Sequence, residues 1–422
     1  MCTPEDSRLL DILDDRLHTP VQNGVTHRHR NLRKPIIDVG LVSQQSDRRR
    51  RRKRRRAQSL LRRTWTLPLG LVLVFLFLYA INPTDSNIIY HFIFLSYKLG
   101  DDDSSAQYGK GPWDFAFVCF YTIALSFARE FITNELFRPL ARRYGIKIRN
   151  KQARFMEQMY VVCYIAFMGP FGMYCMKQTP VWYFNTRGMY ESFPHMTHDA
   201  QVKFYYLLQA AFWTQQALVM LLGMEEKRRD YQELVAHHIV TIALIGLSYR
   251  FHFTYMGIAI YVTHDISDFF LAISKSLNYI GSPLQGPSFG LCIIMWSYLR
   301  HYINIRILYS ILTEFSTVGP YGIDWETQQY KGLISQVITF TLLAALQLLN
   351  LFWLYCLLRN AYRFIFLGIA KDDRSEDEGP EIDVTEPKSQ NVDVNEDTST
   401  LKGKETYGKA VEGKNVTLRR SS

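Results

Sequence analysis

Two histidines stand side by side in "ELVAHHIVTIALIG", Glu233 to Gly246, a stretch otherwise apolar enough to lie in a bilayer. A second apolar run carries "THDISD", with His264, Asp265 and Asp268. Ionisable groups inside an apolar helix are costly, and they face a cavity or a partner. Several chemistries fit this set. His and Asp are both metal-ligand types, but adjacent residues on a helix diverge by about 100°. A shared ion asks for i,i+3 or i,i+4 spacing, so no metal is assigned. Chains of His and Asp also relay protons in transporters. The inverted repeats of that architecture are not found in this sequence. A histidine oriented by a carboxylate can take a proton from a nucleophile, or attack an activated acyl group itself. The purely structural alternative is a His–Asp clasp joining two helices.

The two runs are joined by a short turn near "YRFHF" and so form an antiparallel hairpin. Residues equidistant from such a turn face one another. His237 and Asp265 are centred on Phe251, and His238 and Asp268 on Phe253. Depth agrees. His237 lies seven residues beyond Asp230, and Asp268 seven residues before Lys275. At 1.5 Å per residue both sit roughly 10 Å below one face of the membrane. His264 and Asp268 are i,i+4, so the second helix presents one polar face. Only one of the paired histidines can meet a given point head-on; the other must act from the side or hold its neighbour.

The elements that carry these groups belong to a membrane protein. The chain has 422 residues and net charge +10. Polar ends flank long apolar, aromatic-rich runs, which excludes a soluble globule. We expect an all-α polytopic fold with about eight transmembrane helices, each able to cross about 30 Å of hydrocarbon. The expected spans are 65–82, 112–132, 155–176, 204–224, 231–249, 254–273, 288–312 and 332–358. Residues 86–99 read as an interfacial or re-entrant segment. The domains are a disordered basic head (1–64), a first span with its following segment (65–111), a catalytic membrane domain (112–365) and a disordered acidic tail (366–422). The first residues are polar, so the first span is expected to act as its own signal.

Charge sets the orientation. "RRRRRKRRR", Arg48 to Arg56, stands just before the first span, which places the N-terminus in the cytosol. The block suits anionic lipid headgroups rather than nucleic acid. The loop after the second span is rich in Arg and Lys, whereas "DDDSSAQYGKG" and "TEFSTVGPYGIDWETQQYKG" are net acidic. The bias fits eight spans with both termini cytosolic. The six cysteines show no C-x-x-C spacing, five of them lie in apolar runs, and they read as core thiols rather than a disulfide frame or zinc site. His195, His198 and Asp199 hint at a metal, but with no further ligand they read as a solvated loop. Ser375 precedes three acids in "RSEDEG" and is a candidate phosphosite, or part of a solubilising tail. Asn415 opens a sequon that a cytosolic tail would leave unused.

Arg228 to Ile280, "RRDYQELVAHHIVTIALIGLSYRFHFTYMGIAIYVTHDISDFFLAISKSLNYI", resembles the long signature of the ceramide synthases, the longevity-assurance family of TLC-domain proteins. The likeness runs upstream through "YLLQAAFWTQQALVML" and downstream through "WSYLRHYINIRIL", covering roughly 112–360. The basic head and acidic tail resemble the fungal branch. The resemblance implies a TLC-domain bundle enclosing a cavity. It implies acyl transfer from a long- or very-long-chain acyl-CoA to the amine of a sphingoid base, with His237, His238, Asp265 and Asp268 catalytic. Two routes are open: a histidine takes the proton of the attacking amine, or, in the ping-pong route that we favour, an imidazole first carries the acyl chain, by resemblance that of His237. No bound cofactor is implied, acyl-CoA being a co-substrate. Endoplasmic reticulum residence, a homodimer and a small single-span regulatory subunit are further implications. So is a bearing of the loop 313–331 on acyl length. The competing reading is a non-catalytic TLC-domain lipid sensor or translocation accessory.

CoA is polyanionic and must stay in the cytosol. Arg142, Arg143, Arg228, Arg229 and Lys275 lie at the expected mouth and are candidates for its phosphates, although positive-inside topology alone accounts for most of them. Arg300, His301, Asn304 and Arg306 fall inside the seventh run. With His264, Arg300 and Asn304 are candidate polar groups of the cavity, and Arg300 is a candidate partner for Asp265 or Asp268. Glu130 is another.

Overall fold

A backbone that lipid cannot hydrate must satisfy its N–H and C=O groups internally, so long apolar runs become helices. In a computed structural model, residues 64–100, 106–224 and 228–368 are described. The basic block at Arg48–Arg56, Ser375, Asn415 and most of the two expected tails lie outside these residues. In chain order come α1 Thr66–Ile81, the one-turn α2 Tyr90–Ile93, β1 Lys98–Leu99, β2 Gln107–Tyr108 and α3 Trp113–Phe131. A π-turn, Ile132–Phe137, carries α3 into α4 Arg138–Arg143. Then follow α5 Arg149–Lys177, β3 His198–Asp199, α6 Ala200–Leu221, α7 Tyr231–Arg250 and α8 Thr254–Ile280. Last come α9 Gln285–Trp296, a second π-turn Ser297–Ile303, α10 Asn304–Thr313 and α11 Leu333–Leu367.

Every stretch expected as a span is helical. Four helical segments, Trp113–Arg143, Arg149–Lys177, Thr254–Ile280 and Leu333–Leu367, are long and apolar enough to cross a membrane; α1 is apolar but shorter. The remainder depart for a physical reason. α6 carries Lys203, Gln209, Gln215 and Gln216, α7 carries the histidine pair, and a π-turn interrupts the α9–α10 run. Helices also outrun the expected spans at Arg143, Ile280 and Leu367, because a helical backbone keeps its own hydrogen bonds after the apolar face ends. Residues 86–99 form α2 and then β1, which pairs antiparallel with β2, itself paired with β3.

α8 is the central helix. It packs on α5, α6, α7 and α9, and Ile258, Ala259 and Val262 are fully buried in the main core. Two glycines allow close approach. A Cβ at Gly172 would stand 2.5 Å from the Tyr205 hydroxyl, and one at Gly257 would stand 2.7 Å from that of Tyr206. The adjacent tyrosines of α6 thus wedge against α5 on one side and α8 on the other, as small residues permit between membrane helices. α7 and α8 form the expected hairpin, turning at Phe251, His252 and Phe253, with His252 at φ 67°. Gly281, at φ 72°, ends α8 in a left-handed cap.

A buried ion pair secures the hairpin end of the bundle. Lys203 Nζ lies 2.6 Å from Asp114 Oδ1, with side chains 0% and 4% exposed. Lys203 also donates to the carbonyls of Ser96, at 2.9 Å, and Gly109, at 2.7 Å. The Tyr249 hydroxyl and the Gly111 N–H donate to Asp114 Oδ2. One charge pair therefore ties α3, α6, α7 and the segment before α3. Lys203→Met leaves Asp114 buried without its cation, and is expected to destabilise the fold by about 3–5 kcal/mol. Thermal unfolding in detergent checks this, and adding Asp114→Asn is expected to restore part of the loss.

Candidate active site

α7 and α8 deliver the histidine and aspartate faces to one place. His237 and His238 are buried on α7, and Asp265 is buried on α8. A cavity of about 480 Å³ is lined by His237, His238, Asp265 and Asp268 together with Arg228, Lys275 and Arg300. The structure therefore gathers all four sequence-chosen reactive groups round one space. Of the five basic candidates for its mouth, Arg228 and Lys275 line it; Arg142, Arg143 and Arg229 are exposed elsewhere.

The aspartates differ in their partners. Arg300 Nη2 lies 2.5 Å from Asp268 Oδ1. The same guanidinium donates to Ser267 Oγ at 2.6 Å, Asn350 Oδ1 at 3.2 Å and the His264 carbonyl at 3.2 Å. Its plane lies over Trp296, 4.0 Å from the ring centroid. Arg300 sits mid-way in the Ser297–Ile303 π-turn, a widened turn of the kind that clusters at functional sites. Asp265 instead accepts a hydrogen bond from the Gln209 amide of α6. The Gln209 amide in turn donates to Tyr205 Oη at 3.1 Å, and its carbonyl accepts from the Tyr164 hydroxyl at 3.2 Å.

The histidines differ as well. His238 Nδ1 lies 2.9 Å from the Leu234 carbonyl one turn back. A carbonyl only accepts, so Nδ1 carries the proton and Nε2 the lone pair. His237 makes no hydrogen bond among the described residues, and its buried Nδ1 is unpartnered. It is held by rings alone, with Trp353 at 5.2 Å and Trp213 at 5.8 Å between centroids. Trp353 Nε1 donates to Asp230 Oδ2 at 3.1 Å, which fixes that indole against the start of α7. The predicted facing of His and Asp across the hairpin is met as shared lining of one cavity, while the carboxylates bond to Arg300 and Gln209.

His237 also lines a second, apolar cavity of about 200 Å³, which extends along α7 and α8 to Phe251, Phe253 and Tyr330. His264 lines this second cavity and bonds Asn350 Nδ2 at 3.3 Å. Asn304 lines neither; it is buried on Gln347 of α11 at 2.8 Å. Glu130 pairs with Arg129 at 2.7 Å instead of entering the site. In the loop before α6, His195 Nε2 bonds the Glu191 carbonyl and His198 Nε2 bonds Thr254 Oγ1. Burial pushes the His195 imidazole down to about 4. These two rings are buried, not solvated, because β3 and the start of α8 close over them.

Sequence reasoning passed over Gln209, Trp213, Asn350 and Trp353. A signal was present for the first three. Gln209 and Trp213 stand in "QAAFWTQQ" and Asn350 in the apolar run of α11. Polar groups in such runs are retained against a cost.

Residues 154–359 match the TLC domain family. The site thus belongs to a TLC-domain protein of the multi-pass membrane class. A sphingosine N-acyltransferase-like protein of Gibberella moniliformis is 58% identical over 330 residues, covering 77% of this chain and 85% of that protein. A ceramide synthase of Saccharomyces cerevisiae is 47% identical over 322 residues, covering 76% and 78%. A sphingosine N-acyltransferase of Schizosaccharomyces pombe is 44% identical over 320 residues, covering 76% and 83%. The chain belongs to this enzyme family, the ceramide synthases or sphingosine N-acyltransferases, and resembles its fungal members.

Removing Arg300 strands Asp268 among its former partners. Its side chain is 26% exposed, toward the cavity, so the loss falls at the lower end for a broken buried pair. Arg300→Met is expected to lower stability by about 3 kcal/mol. The addition of Asp268→Asn is expected to return most of it, as read by denaturation of the detergent-solubilised protein.

Proposed function

We propose that this enzyme transfers a long- or very-long-chain fatty acyl group from acyl-CoA to the amine of a sphingoid base, giving a ceramide. The observation that carries this reading is the position of His237. It stands where a polar cavity with basic residues meets an apolar one. That is the division an acyl-CoA presents, a polyanionic head joined to a hydrocarbon chain at a thioester. Arg228 and Lys275 pair with CoA phosphates. Leu244, Ile245, Ile260, Leu342 and Leu346 receive the chain. From His237 to Phe251 α7 rises about 21 Å, so the apolar cavity runs most of the depth of a leaflet pair. The loop 313–331 contributes Ile323, Trp325 and Tyr330 to its far end, which supports a bearing of that loop on acyl length.

The route is ping-pong. An unprotonated His237 nitrogen attacks the thioester carbon, the C–S bond breaks and CoA leaves as the thiol with the proton gained from the imidazolium. The neutral sphingoid amine then attacks the acyl-imidazole carbon. The C–N bond to His237 breaks as the amide forms, and the amine's proton passes to the freed base. His238, with its Nδ1 held, presents Nε2 to the cavity as a proton acceptor. Asp268, paired to Arg300, orients the charged intermediates, and Asp265 stands ready to share the released proton. The polar mouth opens to the cytosol, both termini are cytosolic and eight spans cross the endoplasmic reticulum membrane. Substrate chemistry and the loop-charge bias support that orientation.

Purified protein supplied with labelled acyl-CoA and sphinganine is expected to yield ceramide, and His237→Ala and Asp268→Ala to abolish it. With acyl-CoA alone, a single turnover is expected to leave one acyl group on the wild-type chain and none on His237→Ala. Ceramide formation that survives both substitutions would overturn the site assignment.

A further inference from the structure

Trp213 and His237 are the two residues that line both cavities. The Trp213 ring also contacts both imidazoles, at 5.8 Å from His237 and 6.0 Å from His238. Its indole N–H is buried without a hydrogen-bond partner among the described residues. Beside it, Phe212 stacks on Tyr164 at 3.7 Å, which fixes this part of α6. A second orphan lies close by in the helix. Thr241 is one turn beyond His237 on α7, lines the apolar cavity, and has a buried hydroxyl with no partner among the described residues. Threonine in a helix ordinarily bonds the carbonyl four residues back. Thr241 makes no such bond, while Thr122, Thr214 and Ser248 each do. Two unused donors therefore flank His237, whose buried Nδ1 is itself unpartnered among the described residues. Native interiors leave few such groups unmet, and those that persist ask for a missing partner.

We infer that Trp213 Nε1–H and Thr241 Oγ–H are the donors that hold the acyl carbonyl oxygen at His237 and stabilise the oxyanion formed there. This rests on the acyl-transfer reading above. When the His237 nitrogen forms its bond to carbon, the C=O π pair moves onto oxygen, and both donors meet that charge. When the tetrahedral species collapses, the pair returns, the C–S bond breaks and the sulfur leaves with the electrons. The same oxygen develops the same charge when the amine attacks the acyl-imidazole, so one pair of donors serves both halves. No metal or further reactant is required.

The test is the rate of CoA release from acyl-CoA in a single turnover, with Trp213→Phe, Thr241→Val and the unsubstituted enzyme. Removal of one oxyanion donor lowers such rates by about 10²-fold. Trp213→Phe is expected to show that loss, and Thr241→Val a loss of about 10-fold or more. Two readouts separate chemistry from packing. Binding of a thioether analogue, an S-alkyl-CoA that has no carbonyl, is expected to stay within about twofold of the unsubstituted enzyme in both variants, since the oxygen that these donors meet is missing. Thr241→Val removes an unpartnered hydroxyl while keeping its shape, so its melting temperature is expected not to fall. Rates within about threefold of the unsubstituted enzyme in both variants overturn the inference, as does thioether binding that weakens in proportion to the rate. If Trp213→Phe does not fold, Thr241→Val decides alone by the same criteria. An unsubstituted enzyme that releases no CoA overturns the acyl-transfer reading itself. An active enzyme that depends on His237 but ignores both substitutions overturns only the donors.

Discussion

A guanidinium buried among apolar helices must find acceptors for its N–H groups, and Arg300 finds them on two neighbouring helices. It bonds Asp268, Ser267 and the His264 carbonyl of α8 and Asn350 of α11, with Trp296 beneath its plane. These partners fix the separation of α8, the π-turn and α11. They also hold Asp268 at the cavity wall and, through Asn350, the ring of His264. The rest of the site is arranged on that frame. A π-turn at this position widens the helix at the point where the Arg300 guanidinium enters the bundle. Replacing the cation by an apolar residue would relieve its desolvation but would leave the carboxylate unmet.

Adjacency of His237 and His238 gives two identical side chains different surroundings. One turn of helix below, the Leu234 carbonyl takes the His238 proton and sets its tautomer. His237, rotated by about 100°, meets the indoles of Trp213 and Trp353 and the ring of His238. Its nitrogens are left for whatever enters the cavity. The aspartates divide in a similar way, one against a cation and one against a neutral amide. An apolar helical bundle can hold these ionisable groups because each has its own neighbour, Leu234 of the same helix for His238, the π-turn for Asp268 and α6 for Asp265.

The two cavities have one physical origin. α7 lies between a polar wall, built by Arg228, Asp230, Asp265 and Asp268, and an apolar wall built by α8, α11 and the loop before α11. The hairpin end is closed by buried polar contacts of its own, the Lys203–Asp114 pair and the His252–Gln328 bond at 3.1 Å. Gln328 lies in the same loop that supplies Trp325 and Tyr330 to the apolar cavity. Tying that loop to the turn between α7 and α8 fixes how far the cavity extends.

Much of this was legible in the sequence. Apolar length located every long helix, the "YRFHF" turn located the hairpin, and its symmetry with depth brought His237, His238, Asp265 and Asp268 to one level. Those are consequences of local periodicity and of chain geometry within a single hairpin, so residue types and spacing suffice. Other facts depend on helices far apart in the chain. That Asp268 takes Arg300 while Asp265 takes Gln209, that Asn304 turns to Gln347, that His195 and His198 are buried and that Trp213 stands between two cavities follow from how α6, α9, α10 and α11 pack round α7 and α8. The sequence determined which polar groups an apolar bundle would have to accommodate, because each one interrupts a run that lipid or core must otherwise cover. Only the tertiary structure decided which partner each would have, because a buried charge or amide bonds to whatever donor or acceptor the neighbouring helix brings within about 3 Å.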